Sequence, residues 1–425
     1  MDQTSPPAGS RTGPASGRYL PTLDGWRALA IAGVMACHAL PSPATMRGAV
    51  GVNVFFAISG FLICSRLLEE SRRSGRISLV GFYTRRSVRI FPAYFTYLSV
   101  LGALTAAGVL VVHRREFVSC AVFLRNYLPY VSSDPSADRG WYTGHFWSLA
   151  VEEHFYLIWP ALLIFLGVRR ARWAVAPLAL GIGVWRVIGI RLELLDRYWP
   201  GVNFYMRTDV LLDGLFWGCW VALLLDEPAW RERLARWLTP RVWLVMAAAF
   251  VGSVAYRPPL HLIAEAALIP FLLVGTVLRP ETLIGRLLEA APMRWVGRLS
   301  FSLYLWQQLF LIDQNAQHPD VLRPVQTLPL SILAVFACAT VSYYVVETPM
   351  IRLGRRLSSR FAPPTPHFKG APTDSGGTGT AEGGCPTFDG LAQPPSAGLP
   401  ESVDAPHFKV KQAGALDLLV ANGNN

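Results

Sequence analysis

Val50-Gly51-Val52-Asn53-Val54-Phe55-Phe56-Ala57-Ile58-Ser59-Gly60-Phe61-Leu62-Ile63-Cys64-Ser65-Arg66-Leu67-Leu68 carries one charged side chain, Arg66, close to its end. A helix that crosses the hydrocarbon core of a bilayer needs about 20 mostly apolar residues, and this run supplies them. Further apolar runs lie at Trp26–Leu40, Phe91–Val112, Trp147–Leu166, Trp173–Ile190, Val210–Leu225, Val242–Tyr256, Leu260–Leu278, Leu299–Ile312 and Leu328–Val346. The expected fold is all-α, a polytopic membrane helix bundle of about ten transmembrane helices. Composition agrees: 52% of the 425 residues are hydrophobic and only 16% charged, whereas soluble domains carry about a quarter charged residues.

The net charge is +11. Nucleic-acid binding is one reading of a basic chain, but the arginines follow the loops. Arg66, Arg72, Arg73, Arg76, Arg85, Arg86 and Arg89 crowd one; Arg169, Arg170 and Arg172 another; Arg231, Arg233, Arg236 and Arg241 a third; Arg279, Arg286, Arg294 and Arg298 a fourth. Arg352, Arg355, Arg356 and Arg360 follow the last run, while Arg47, Arg257 and Arg323 stand nearly alone in the intervening loops. Positive charge stays on the cytoplasmic side, so both termini are expected inside, with no nucleic-acid partner. The cysteines are scattered, four of them within apolar runs, and no metal-ligand spacing appears. Residues 1–18 read as a disordered cytoplasmic lead-in without a cleavable signal, 19–360 as one membrane domain, and 361–425, rich in Pro, Gly, Ser and Thr, as a disordered tail.

Ionisable residues inside a span are costly and mark function by default. The first run carries Asp24, Arg27 and His38. Arg27 and His38, at 100° per residue, share one helical face roughly 16 Å apart along the axis, and Asp24 is one turn before Arg27 and able to pair with it. For a lone membrane histidine, an interhelical hydrogen bond is the structural alternative. Trp147-Ser148-Leu149-Ala150-Val151-Glu152-Glu153-His154-Phe155-Tyr156 places two carboxylates in an apolar run. Counted from opposite faces, Glu152 and His38 come to similar depth, within about 6 Å. A carboxylate that holds an imidazole raises its basicity; a buried structural ion pair is the competing reading. Asp209 and Asp213, one turn apart after Arg207, suit sugar hydroxyls at the outer mouth, or else pair with Arg207 or Arg186. Arg86 and Arg89 are spaced to grip a phosphate if Phe82–Pro92 is helical.

These segments, in this order, resemble the acyltransferase 3 family of membrane O-acyltransferases, over about Leu20 to Arg356. The matching pieces are Leu23–Ala30 leading to His38, Phe55–Leu62, the segment ending Arg89-Ile90-Phe91-Pro92, Trp147–Tyr156, Arg207–Gly214, Ser300–Trp306 and Glu347-Thr348-Pro349. The resemblance implies a bacterial inner-membrane, multi-pass enzyme that takes acyl-CoA, by analogy acetyl-CoA, from the cytoplasmic side. The acceptor is then a hydroxyl of a glycan, lipid-linked sugar or small molecule. It further implies His38 as the essential residue with Arg27, Arg86 and Arg89 as the donor-side pair, and Glu152 and Glu153 as the fourth-helix carboxylates. Tyr304, with Asp209 and Asp213, is a candidate for binding the acceptor. Gln307 follows Trp306 where many members have histidine, and an amide does no acid–base work. Some members carry a soluble hydrolase-like domain after the last helix; the short tail here is not expected to form one, so that activity, if needed, is expected on another chain.

The expected chemistry has His38 as general base, taking the proton from an acceptor hydroxyl that attacks the thioester; an acyl-histidine intermediate is a variant. A proton-coupled transporter or flippase would use the same intramembrane histidine and glutamates. Transporters are commonly built from related halves, and the Asp-Arg-His run has no second copy.

Overall fold

Proline at the first helical position is already set to helical φ, and Pro21 opens α1 (Pro21–Ala39) in the computed structural model of the chain. The structure describes residues 19–40, 42, 45–128, 140–193, 204–312 and 319–359. The chain divides into two units, Met1–Thr365 and Pro366–Asn425, and every described residue belongs to the first. The lead-in at 1–18 and the tail from 361 therefore lie outside the described residues.

After α1 come α2 (Gly51–Ser74), α3 (Leu79–Ala106), the short α4 (Arg114–Ala121) and α5 (Trp141–Gly144), and α6 (Phe146–Arg191). They are followed by α7 (Thr208–Asp226), α8 (Pro228–Trp237), α9 (Pro240–Tyr256), α10 (His261–Leu278), α11 (Leu283–Leu288), α12 (Ala291–Phe310), α13 (Arg323–Gln326), α14 (Leu330–Val341) and α15 (Thr348–Ser359). No strand occurs among the described residues. Six helical stretches are long and apolar enough to cross a membrane, or seven if α8 and α9, bent by 78°, form one span. One of the six, Trp141–Arg191, has 51 residues, about 75 Å of helix against a core of about 30 Å. Gly167, at φ 68° and ψ 156°, breaks it into two arms, where the sequence separates Leu166 from Trp173.

Two boundaries differ from the sequence expectation. Helix α3 begins at Leu79, a full three turns before the apolar run at Phe91, so the arginine segment is helical; Ser78 caps it by accepting from the Gly81 N–H at 3.1 Å. The last helix does not stop at Val346. It passes through one π-turn, Ser342–Glu347, into α15, which packs along α3. In both places hydropathy falls because one face turns to water while the other stays packed.

Glycine sets the closest packing. A Cβ on Gly60 would strike the backbone of Leu215, and one on Gly218 would strike that of Ala57, so α2 and α7 touch backbone to backbone. The α1–α12 contact is built likewise, with Gly297 against Asp24. Ion pairs fix which helix ends lie together. Arg72 at the end of α2 pairs with Asp226 at the end of α7 at 2.9 Å, and Arg172 pairs with Glu227 at 2.8 Å. Arg279, after α10, donates to the carbonyls of Ala235 and Leu238 near α8. Several arginine-rich loops thus meet at one end of the bundle.

Candidate active site

Helix α1 carries the first group. Arg27 Nη1 donates to Asp24 Oδ1 at 3.1 Å, and the Tyr19 hydroxyl donates to Asp24 Oδ2 at 2.6 Å. Asp24 is buried and its two oxygens are both engaged, so it orients Arg27. Three turns on, His38 Nδ1 lies 3.3 Å from Gln307 Oε1 of α12. The Trp141 indole meets the imidazole edge-on, with centroids 5.3 Å apart. An amide oxygen only accepts, so Nδ1 carries the proton and Nε2 keeps its lone pair.

The glutamine that departs from the resemblance is therefore the hydrogen-bond partner of His38. Gln307 does no acid–base chemistry, but its oxygen selects the tautomer in which His38 Nε2 is basic. Its neighbour Gln308 does the same for a residue the sequence reading missed, His145. Gln308 Oε1 lies 2.5 Å from His145 Nδ1 and accepts from its backbone N–H at 2.8 Å, and the Gln308 carbonyl accepts from Trp141 Nε1 at 2.9 Å. Tyr304, one turn earlier on α12, is hydrogen-bonded to Ser148 at 2.6 Å and donates to the His145 carbonyl at 3.2 Å. Helix α12 thereby holds α1, α5 and the start of α6 in register around two imidazoles. A histidine just ahead of Trp147-Ser148-Leu149 was the available signal for His145.

Glu152 stands elsewhere. Ser59 donates to its Oε1 at 3.1 Å and Tyr156 to its Oε2 at 2.8 Å. The Arg86 guanidinium lies 4.6 Å over the Tyr156 ring. Arg86 is within electrostatic reach of Glu152, Glu153 and Arg89, and Arg27 within reach of Glu152 and Arg89. No hydrogen bond joins Glu152 to His38 among the described residues. His145 already sits within electrostatic reach of His38, so Glu152, seven residues later, is about 10 Å further along. It belongs with the arginines.

That arginine group extends beyond the pair found in the sequence. Arg66 on α2 is within reach of Arg85, Arg89 and Arg355, with Glu69 as the nearby acid. Glu347 accepts from Ser302 through a short contact and feels Arg89. His38, Arg27, Arg86 and Glu152 are each partly buried.

The two aspartates of α7 are held by arginine. Asp213 is 1% exposed and 2.6 Å from Arg186 Nη2, which also donates to the Leu262 carbonyl at 3.0 Å. Asp209 accepts from Arg207 Nε at 2.8 Å and Nη2 at 3.1 Å, and from Trp185 Nε1 at 2.9 Å. Of the two readings the sequence left open, these contacts match the pairing one. His154 Nδ1 lies 2.6 Å from Thr208 Oγ1, an interhelical tie. No group of three or more potential metal ligands occurs among the described residues.

The comparison with known proteins follows the same residues. The family description "Acyltransferase domain", of the acyltransferase 3 type, matches residues 20–347. O-acetyltransferase OatA of Staphylococcus aureus (strain NCTC 8325 / PS 47) is 27% identical over 359 residues, covering 80% of this chain and 58% of that protein. Peptidoglycan O-acetyltransferase OatA of Listeria monocytogenes serovar 1/2a is 28% identical over 377 residues, covering 81% of this chain and 58% of that protein. The chain thus spans under two thirds of the length of these relatives. No solved structure matches. A match over residues 20–347, spanning Asp24 through Glu347, leaves no doubt about kinship: the chain belongs to the acyltransferase 3 family of acyltransferase domains.

Proposed function

We propose that the chain is a membrane-embedded O-acyltransferase that moves an acetyl group from acetyl-CoA to a glycan hydroxyl, with His38 as general base. The relatives' names supply the acetyl group and make peptidoglycan the first acceptor to test. The bundle crosses a bacterial inner membrane ten times. To the apolar spans, this reading adds α1, α9, α12 and the second arm of α6, the first and third of which lose apolarity to the polar residues they turn inward. The arginine-rich end is cytoplasmic.

Acetyl-CoA enters at that end. Arg86 and Arg89, joined by Arg66 and Arg355, take its phosphates. Glu152, held by Ser59 and Tyr156, keeps Arg86 and Arg27 from dispersing by mutual repulsion. The thioester reaches His38 from the arginine side, and the acceptor comes from the opposite end. His38 Nε2 takes the hydroxyl proton as the oxygen attacks the thioester carbonyl. The carbonyl electron pair moves to oxygen. When the carbon–oxygen double bond re-forms, CoA leaves as thiolate and takes the proton from His38. A positioned base contributes about 10² to 10⁴ in rate.

The observation that carries this reading is the His38–Gln307 contact at 3.3 Å, in which an accepting amide oxygen leaves the imidazole lone pair on Nε2 of a partly buried residue. The test is transfer of labelled acetyl from acetyl-CoA to soluble peptidoglycan fragments by the purified protein in nanodiscs. His38→Ala is expected to abolish transfer without changing the yield of monodisperse protein. Wild-type transfer by that variant would end the proposal. Transport of the glycan with no acetyl incorporated would support the flippase alternative instead.

A further inference from the structure

Helix α8 is bent by 78° from α9, which follows it. Apolar α9 has a single buried residue, Ser253, and exposes Val242, Leu244, Val245 and Val251, as a helix set against lipid tails does. Spans tilt by about 20° on average, so a helix turned this far from one runs close to the membrane plane. Two clamps hold α8 in place. Arg231 donates from Nε and Nη2 to the Leu225 carbonyl of α7, at 2.9 and 2.8 Å. Arg279 donates to the carbonyls of Ala235 and Leu238 at the far end, at 2.7 and 3.0 Å. Leu234 and Leu238 are buried, whereas Arg233, Arg236 and Trp237 are exposed, Trp237 to 78%. A helix with an apolar anchor and a basic, aromatic outer face suits the headgroup layer.

The second arm of α6 meets α8 through tryptophan. The Trp173 and Trp230 rings touch edge to face with centroids 6.4 Å apart. The Arg233 guanidinium lies 4.9 Å over the Trp230 ring. Arg169 and Arg170, four and three residues before Trp173, share its helical face. Both are exposed and make no ion pair among the described residues. Arg172, by contrast, is taken by Glu227 at 2.8 Å. Nearby carboxylates do not answer this charge. Asp226 and Glu227 are each held by an arginine, and Glu232 is the one acid on α8 against Arg231, Arg233 and Arg236.

We propose that Arg170 and Arg233, with Arg169 beside them, grip the phosphate of an anionic phospholipid whose headgroup rests against the Trp173–Trp230 pair. Such a site depends on the bundle being embedded in a bilayer, not on acyl transfer. Guanidinium groups bind phosphate oxygens bidentately, and stacking on Trp230 holds Arg233 ready to do so. Trp173, 66% exposed, and Trp237 are amphipathic rings of the kind that settle at headgroup level. A zwitterionic lipid brings its own cation next to the phosphate, so the arginines select for net negative charge.

The test uses the full-length protein in nanodiscs of phosphatidylcholine with a minority of phosphatidylglycerol, and native mass spectrometry of the lipids it retains on release. Wild type is expected to retain phosphatidylglycerol in preference. Arg170→Gln with Arg233→Gln should weaken that retention about 25-fold, each arginine near an anionic surface contributing about fivefold. Arg286→Gln with Arg352→Gln removes the same charge from exposed positions elsewhere in the arginine-rich loops and should leave retention unchanged. Undiminished retention in the first double variant would overturn the site, and so would an equal loss in the second, which would show only a diffuse attraction. If the first variant loses its monodisperse peak, electron spin resonance of spin-labelled lipids on the wild-type protein decides. A larger immobilised fraction for phosphatidylglycerol than for phosphatidylcholine is expected, and equal fractions would refute the site.

Discussion

Asp213→Ala tests whether an intramembrane carboxylate serves the fold or the acceptor. Asp213 is 1% exposed and sits 2.6 Å from Arg186, itself 3% exposed. Removing the acid strands a guanidinium away from water. Breaking a buried pair from one side costs about 3–5 kcal/mol. The Leu262 carbonyl, 3.0 Å from the same Nη2, keeps one contact and favours the lower part of that range. Larger domains lose about 2–4 °C of Tm per kcal/mol, so a fall of about 10 °C is expected. The assay is thermal unfolding in detergent, followed by the loss of the monodisperse peak. Replacing both partners with apolar residues, Asp213→Leu with Arg186→Met, should recover most of the loss, because the cost lies in the unpaired charge. A Tm within about 1 °C of wild type, together with a raised KM for the glycan, would refute the structural role and restore Asp213 as an acceptor ligand.

Three further outcomes are expected. Arg86→Ala with Arg89→Ala should raise the KM for acetyl-CoA at least tenfold, since charge-assisted contacts are worth about 1.5–3 kcal/mol each; steady-state kinetics with an unchanged KM would remove their donor role. Gly218→Leu should prevent folding rather than impair catalysis, because a side chain there meets the Ala57 backbone on α2; normal membrane yield would contradict the close α2–α7 contact. The profile of kcat/KM against pH should show an acid limb of unit slope, as the neutral imidazole needed for proton abstraction is lost on protonation; a limb that persists unchanged in residual His38→Ala activity would belong to another group.

The sequence made helices plain where an apolar run is unbroken and blurred their bounds where polar side chains enter it. Val50–Leu68 announces α2, but α12 holds Arg294, Arg298, Ser300, Ser302, Gln307 and Gln308 and still forms an unbroken helix. Its polar side chains are what the internal site requires, and they dilute the hydropathy that would reveal it. The members of the site were legible one by one, because Asp24, Arg27, His38, Arg86 and Glu152 are all charged or titratable groups in apolar surroundings. Their pairing was not. The His38–Gln307 contact joins positions 269 residues apart, and no period or local spacing reports it. Depth counting does not report contacts: Trp141 and His145, in a loop of mixed polarity, lie near His38, while Glu152 is bonded to Ser59 and Tyr156. Asp209 and Asp213 left two readings open, and only the placement of Arg186 and Arg207 distinguishes them.

Sided transfer in oriented vesicles tests the central claim most directly. Labelled acetyl-CoA is supplied only to the arginine-rich face, and peptidoglycan fragments are enclosed on the other. The expected result is label on the enclosed glycan with wild-type protein and none with His38→Ala. Label that appears only when donor and acceptor share one face, or that appears equally without the imidazole, would contradict a catalytic histidine reached from both sides of the bundle.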